Sequence, residues 1–226
     1  MQAAGTPAGP APLRSPPSRA SSPLPASFRL SKDPSTIALD DGSVLLGGSP
    51  LRLLRLSPRA RAQVARWQAG EAVGGARGRQ LLARRLASGG LFATRPGRPT
   101  FGPDDVTVVV PVRDRPEQLD QLLGSLHGLA CVVVDDASAD AIATEEVATR
   151  HGARFVGLDA NVGPSGARNA GLAATHTPLV AFVDSDCTAS PAWLHALLGH
   201  FDDPLVAAVA PRVVSATLPR ATPVSR

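Results

Sequence analysis

Short apolar runs alternate with amphipathic stretches through the second half of the chain. The runs predict buried strands at residues 106–110, 131–134 and 179–183, and a short strand at 154–156 and a last strand at 206–210 complete the series. The stretches between them predict helices that begin near residues 114, 141, 163 and 190. Strands and helices in strict alternation are typical of an α/β domain, in which helices cover both faces of a parallel sheet.

The first hundred residues follow a weaker pattern. Residues 28–46 alternate loosely around a turn at residues 40–42, which predicts a hairpin. Ser57 and Pro58 predict the start of a helix that runs to about Gln68, and a second helix is predicted at residues 79–87. These elements predict a small winged-helix-like α+β module over residues 28–100. Residues 1–27 are rich in Pro, Ala and Ser, which predicts a disordered tail.

Charge divides the chain in the same way. Residues 1–100 hold 15 basic and 4 acidic residues, a net +11, and residues 101–226 hold 8 and 15, a net −7. A solvated, Arg-rich surface explains the basic half, and we expect no nucleic-acid partner, although an acidic or lipid partner stays open.

Cys131 and Cys187 form no pattern, which favours a reduced, cytoplasmic protein. No apolar run reaches the length of a membrane span, so none is predicted in this chain, and membrane association of a full-length form stays open.

Polar and acidic clusters follow three of the predicted strands. They are PVRD at residues 111–114, Asp135-Asp136, and Asp184-Ser185-Asp186. Ligands of parallel α/β sheets bind at the carboxyl ends of the strands, so these clusters predict a binding site. Two carboxylates one residue apart can share a divalent cation with the phosphates of a ligand.

A glycine-rich segment, NVGPSGARNAG at residues 161–171, leads into a predicted helix. Gly166 would let the backbone approach a ligand and Arg168 would meet a base or phosphate, although tight packing of the helix on the sheet explains the same small residues. The turn after the first strand of this domain has no glycine, which argues against a dinucleotide-binding domain, and no P-loop occurs. A nucleotidyltransferase would need a Gly-rich basic loop at that turn, and the chain lacks one.

Four of these segments in order, VVVPVRD (108–114), VVVDDAS (132–138), GPSGARNAG (163–171) and FVDSD (182–186), resemble the signature of family 2 glycosyltransferases. The resemblance implies a GT-A fold and a nucleotide-sugar donor. By this match Asp136 would bind the base beside Arg168, Asp184 would contact the ribose, and Asp186 would hold Mg²⁺ or Mn²⁺ on the diphosphate. The implied donor-binding residues are Pro111, Val112, Arg113, Asp135, Asp136, Gly166, Arg168, Asp184 and Ser185, and the implied metal ligands are Asp184 and Asp186.

The upstream segment LGGSPLRLLRLS (46–57), joined to such a domain, resembles the mycofactocin-system members of the family. That resemblance implies UDP-glucose as the donor and a peptide-derived redox cofactor as the acceptor, held through residues 28–100. The resemblance to family 2 as a whole implies an inverting transfer. Only 40 residues follow Asp186, and no acidic residue follows Asp203, so we expect the general base to lie outside this chain. Residues 101–226 would then be an incomplete donor-binding domain. The alternative is a non-enzymatic module that binds a peptide or a nucleotide sugar.

Overall fold

The computed structural model describes residues 22–215, which form two compact units. Among the described residues, the first unit comprises 22–97 with 203–207, and the second comprises 98–202 with 208–215. The boundary near residue 100 lies where the composition changes from basic to acidic. Most of the predicted tail, residues 1–21, lies outside the described residues.

The first unit contains two small antiparallel sheets and two helices. Its elements are β1 (Arg29–Lys32), β2 (Ile37–Leu39), β3 (Val44–Gly47), β4 (Arg52–Arg55), α1 (Pro58–Gln68), α2 (Arg77–Ser88) and β5 (Phe92–Arg95). Strand β1 pairs with β5, and β2, β3 and β4 form a meander. The predicted hairpin is confirmed as β2–β3, whereas the pattern did not reveal β4 or β5. The likeness of this unit to winged-helix domains stays a prediction.

Two helices enclose the core of the first unit. Ser57 caps α1, because its Oγ accepts a hydrogen bond from the backbone N–H of Ala60 at 3.3 Å. Trp67 is fully buried beside residues from the sheets and from α2. The apolar stripe of each helix therefore faces the same core, as the spacing of the sequence predicts.

The prediction of a disordered tail is wrong for residues 22–27. Leu24 is fully buried in the core of the first unit, and its backbone N–H donates to the carbonyl of Gln80 at 3.2 Å. A single leucine between Pro23 and Pro25 anchors this segment. The average composition of the segment hides that one apolar side chain.

A buried ion pair joins residues 203–207 to the rest of the first unit. Arg84 donates to both carboxylate oxygens of Asp203 at 2.7 Å, and the two side chains are only 10% and 5% exposed. The backbone N–H of Val206 donates to the carbonyl of Asp203 at 2.9 Å, which closes a turn. The predicted strand at residues 206–210 does not form, because its start is held in this turn.

The second unit alternates strands and helices as predicted. Its elements are β6 (Val106–Val112), α3 (Pro116–Ser125), β7 (Ala130–Asp135), α4 (Ala141–Arg150), β8 (Arg154–Gly157), α5 (Gly163–Ala173), β9 (Leu179–Phe182) and α6 (Trp193–Leu198). The strands form one parallel sheet in the order β8-β7-β6-β9. Helix α6 begins at Trp193 and not at the predicted Ser190-Pro191 cap, where a turn precedes it.

Both faces of this sheet are covered by helices. Val108 and Val110 pack with apolar residues of α3 and α4 on one face, and Val109 packs with α5 on the other. This alternation along β6 explains why Val106, Val108, Val109 and Val110 are all apolar, with Thr107 as the one polar residue of that stretch. The predicted α/β class is confirmed. Within residues 22–215, no helix has both the length and the apolar character needed to cross a membrane.

Candidate functional site

The three acidic clusters meet at the carboxyl edge of the parallel sheet. Val112 pairs with Asp135 in the register of β6 and β7, and the backbone N–H of Asp136 donates to the carbonyl of Val112 at 2.9 Å. Strand β9 lies on the other side of β6 and leads directly to Asp184. The ends of three neighbouring strands therefore present their polar residues together.

Asp135 and Asp136 are buried, and hydrogen bonds satisfy their carboxylates. Asp135 is 1% exposed and accepts from the backbone N–H of Ser138 at 3.0 Å and from the Ser138 hydroxyl. Asp136 is 5% exposed and accepts from the backbone N–H of Val162 at 2.7 Å. A buried carboxylate is costly unless it is paired in this way. These two aspartates therefore hold the loops that follow β7 and β8, and the role of Asp136 toward a base stays a prediction.

A second set of contacts ties the loop after β6 to the loop after β7. The backbone N–H of Asp114 donates to the hydroxyl of Ser138 at 2.8 Å, and the Asp114 carboxylate accepts from the backbone N–H of Ala139 at 2.7 Å. Asp114 and Ala137 both adopt a left-handed conformation, with φ of 54° and 56°. From the sequence, Asp114 was predicted as a helix start and as part of a polar cluster, but this link was not predicted. The sequence feature that could have indicated this link is Asp114 directly after PVR, together with Ser138 directly after DDA.

Residues 111–113 line the edge between these loops. Val112 is buried and Pro111 half-buried, whereas Arg113 is exposed, with its Nε 3.5 Å from the carboxylate of Asp114. The polar group of this stretch therefore points away from the core of the sheet domain. The prediction that all three residues line a nucleoside pocket remains untested.

The glycine-rich segment brings α5 close to the sheet. A Cβ on Gly171 would lie 2.3 Å from Cγ1 of Val109, and a Cβ on Gly166 would lie 2.5 Å from Cγ2 of Val162. Real Cβ contacts are not that short, so Gly171 allows α5 to pack closely on the sheet, and Gly166 allows the helix to pack closely on Val162, the residue before it. Tight packing therefore accounts for the small residues, and the approach of Gly166 to a ligand stays a prediction. The same packing sets the position of Arg168 in α5.

Asp184 and Asp186 differ from the two buried aspartates because their carboxylates face solvent. Their side chains are 58% and 56% exposed, and the buried Ser185 lies between them. The backbone N–H of Cys187 donates to the carbonyl of Asp184 at 3.0 Å, so the acidic residues sit on a turn. Each carboxylate can therefore exchange one partner for another without being removed from water.

An arginine lies against each of these exposed carboxylates. Arg168 of α5 donates to Asp184, and Nη1 of Arg115, the residue before α3, lies 3.0 Å from Oδ2 of Asp186. Arg168 was predicted as a site residue from the sequence, whereas Arg115 was not. The arginine after the VVVPVRD motif was the available signal.

These carboxylates fit an oxygen-preferring divalent cation that also binds phosphates. Among the described residues, no group of three or more His, Cys, Asp or Glu side chains could hold a metal ion alone. Mg²⁺ commonly binds proteins through one or two carboxylates and takes its other ligands from substrate phosphates and water. Asp184 and Asp186 could supply the protein ligands of such a site.

The negative charge of the turn also affects its cysteine. The pKa of the Cys187 thiol is raised, first by burial and then by the neighbouring carboxylates of Asp186 and Asp184. Both effects disfavour the thiolate. The thiol of Cys187 is therefore a poor nucleophile.

Residues 107–223 match the sequence profile of Glycosyl transferase family 2. The match covers more than half of the 226 residues and includes every residue predicted for the site. The chain belongs to glycosyl transferase family 2. Its parallel sheet is the GT-A-like α/β fold that the resemblance implies, and the prediction of the family is confirmed.

Relatives of this family 2 chain include proteins of known name. The chain is 43% identical over 205 residues to the pre-mycofactocin glycosyltransferases of two Mycobacterium tuberculosis strains, CDC 1551 / Oshkosh and ATCC 25618 / H37Rv. That match covers 85% of the chain and 40% of each relative. An uncharacterized glycosyltransferase of Mycobacterium bovis is 38% identical over 100 residues, which is 44% of each protein. The chain thus spans less than half the length of the Mycobacterium tuberculosis relatives.

Solved structures also resemble this family 2 chain. Staphylococcus aureus TarS 1–349 in complex with UDP is 30% identical, covering 36% of this chain and 27% of that one, with a TM-score of 0.33. A second TarS 1–349 structure is 29% identical, covers 39% and 29%, and has a TM-score of 0.36.

Proposed function

We propose that the second unit binds the nucleotide-sugar donor of a glycosyltransferase, with UDP-glucose as the first donor to test. The observation that carries the proposal is the meeting of exposed Asp184 and Asp186 with Arg168 and Arg115 at one edge of the sheet. A sugar diphosphate needs cationic groups, and carboxylates there can hold the cation that accompanies it. Membership of family 2 supports the same function.

Each side chain has a distinct part in this proposal. Arg113 and Pro111 flank the nucleoside, and Asp136 and Arg168 meet the base, while Asp184 turns to the ribose. Asp186 holds Mg²⁺ or Mn²⁺. When bound, the cation neutralises the diphosphate as it leaves the sugar. The buried hydrogen bonds of Asp135 keep the edge in place during binding.

We further propose that the whole protein transfers the sugar, with inversion, to the peptide-derived precursor of a redox cofactor in the cytoplasm. The name of the Mycobacterium tuberculosis relatives, pre-mycofactocin glycosyltransferase, supports this acceptor. The basic first unit, residues 28–100 of the prediction, would hold the peptide part. Its excess of arginine suits a peptide that carries acidic groups.

Isothermal titration calorimetry tests the donor. UDP-glucose is titrated into the chain with MnCl2 and again with EDTA, in wild type, Asp186→Asn and Asp104→Asn. Asp104 is an exposed aspartate before β6, at the opposite edge of the sheet. We expect that EDTA or Asp186→Asn weakens binding at least tenfold and that Asp104→Asn has no effect. Equal affinity of Asp186→Asn and wild type in MnCl2 would refute the proposed metal ligand.

A transfer assay tests the acceptor. The whole protein is incubated with UDP-[14C]glucose and pre-mycofactocin, and the label in the acceptor is counted after chromatography. We expect label in the acceptor only when the cation is present. If UDP-glucose binds but the acceptor stays unlabelled, the proposed acceptor is wrong while the donor site stands.

A further inference from the structure

Arg115 and Asp186 form an ion pair that bears directly on the proposed metal ligand. Nη1 of Arg115 lies 3.0 Å from Oδ2 of Asp186, and the two side chains are 53% and 56% exposed. Exposed pairs of this kind are weak, because water and salt screen both charges. The guanidinium of Arg115 therefore pairs with the carboxylate of Asp186 only weakly.

A cation and this guanidinium compete for the same carboxylate. Both are positive, so a cation bound by Asp186 would repel Arg115 from its present place. Among the described residues, the carboxylate that pairs with Arg115 is that of Asp186, whereas the nearby Arg113 faces Asp114. A displaced Arg115 would still be fixed at the start of α3, at the edge where the diphosphate is proposed to bind.

We propose that Arg115 is a donor-binding residue that changes partner. It pairs with Asp186 in the metal-free chain, and it pairs with the diphosphate of the donor once the cation has taken Asp186. This inference rests on the proposed donor function. Arginine suits both partners, because its planar guanidinium matches the oxygens of a carboxylate and of a phosphate.

The exchange has opposite effects on the two ligands. Without nucleotide, Arg115 competes with the cation, so removal of its charge should strengthen Mn²⁺ binding by up to about fivefold. With nucleotide, Arg115 contributes a charge-assisted hydrogen bond, so its removal should weaken UDP binding about tenfold or more. A residue with only a structural role would weaken both.

The test measures both affinities in the full chain. Free Mn²⁺ is followed by electron paramagnetic resonance, and UDP binding in MnCl2 by calorimetry, in wild type, Arg115→Gln, Arg115→Lys and Arg150→Gln. The matched control, Arg150, also pairs with an exposed aspartate, Asp120, at 3.1 Å, but on α4. Circular dichroism confirms that each variant is folded.

We expect Arg115→Gln to bind Mn²⁺ more tightly and UDP more weakly, Arg115→Lys to lie between it and wild type, and Arg150→Gln to match wild type. If wild type binds UDP with Mn²⁺ and Arg115→Gln changes neither affinity, or weakens both, the exchange is wrong and the donor site stands. If wild type binds neither ligand, the proposed function fails as well.

Discussion

Loss of the buried carboxylate of Asp203 should destabilise the first unit severely. Its partner Arg84 is also buried and donates two hydrogen bonds of 2.7 Å to it. In Asp203→Asn the negative charge disappears, and the new NH2 group faces N–H donors of the guanidinium. The variant therefore leaves a buried positive charge without its counter-ion.

The structure sets the size of the effect. Breaking a buried ion pair by removing one partner costs roughly 3–5 kcal/mol. Arg84 keeps two weaker acceptors, the carbonyls of Ser22 at 3.1 Å and Pro23 at 3.4 Å. We therefore expect the lower end, about 3 kcal/mol. In a domain of about this size, that corresponds to a fall in Tm of roughly 12–24 °C.

Fluorescence of one tryptophan measures this effect. The chain has two tryptophans, and Trp67 is fully buried in the first unit, whereas Trp193 belongs to the second. In a Trp193→Phe background, Trp67 alone reports thermal unfolding of the first unit. Asp202→Asn is the matched control, because Asp202 is the adjacent aspartate and its carboxylate accepts an exposed hydrogen bond from the backbone N–H of Thr100.

The control should shift the transition by less than about 4 °C, since surface substitutions change stability by about 0.5 kcal/mol or less. If Asp203→Asn shifts it no more than the control, the pair does not stabilise the first unit. Replacement of both partners, Arg84→Met with Asp203→Leu, should recover most of the loss. Apolar residues of similar volume can replace a buried ion pair at little cost.

Two further predictions concern packing and thiol chemistry. Gly171→Ala should destabilise the second unit by about 1–3 kcal/mol in urea unfolding, because the new methyl group would meet Val109. The contrasting Gly78→Ala, in α2 with open space around it, should stabilise by about 0.5–1 kcal/mol, and equal effects would contradict the packing argument. Burial raises the pKa of Cys131 from 9.0 to about 11, so at pH 8 it carries about a hundredfold less thiolate than an ordinary thiol, and Cys187 is shifted in the same direction. Because the thiolate is the reactive form, iodoacetamide should label both cysteines slowly at pH 8 and faster as the pH rises. Mass spectrometry measures the extent of labelling. Labelling of either cysteine at the rate of free cysteine would refute the shift in its pKa.

The sequence predicted the second unit well because its signals are local and agree with one another. The runs at residues 106–110, 131–134 and 179–183 coincide with strands of the parallel sheet, and helices cover both faces of that sheet, so the apolar pattern alone identified them. The failure at residues 206–210 has the opposite cause. That run is apolar, but the contact of Asp203 with Arg84, 119 residues away, fixes its start in a turn. No local pattern contains that information.

The first unit was harder to predict because its strands are short and its anchors are few. Strand β5 forms by pairing with β1, whose partner residues lie 60 to 66 positions earlier in the chain. Leu24 lies in a segment whose composition indicates disorder, and it is buried because α2 and the sheets leave room for it. Both features arise from tertiary contacts, which override local propensity.

The sequence predicted the acidic residues of the candidate site, but it predicted only some of their hydrogen-bond and ion-pair partners. Motifs identified Asp136, Asp184 and Asp186 because each follows a strand that ends at the same edge. The partners Ser138 and Arg115 lie on other loops, and sequence spacing does not show which donor will face which carboxylate. The roles of these residues toward a ligand therefore need the binding experiments.

The buried and the exposed carboxylates at this edge differ in how easily they can exchange a hydrogen-bond or ion-pair partner. Asp135 and Asp136 are almost fully buried and accept hydrogen bonds from backbone N–H groups, so removing those partners would leave a charge without solvent. Asp184 and Asp186 are more than half exposed and paired with arginines, so water can replace a lost partner at little cost. A ligand that needs a carboxylate to change partner can therefore find one at the turn after β9, and not at Asp135 or Asp136. The ends of β6 and β7 keep their positions while Asp184 or Asp186 exchanges its partner.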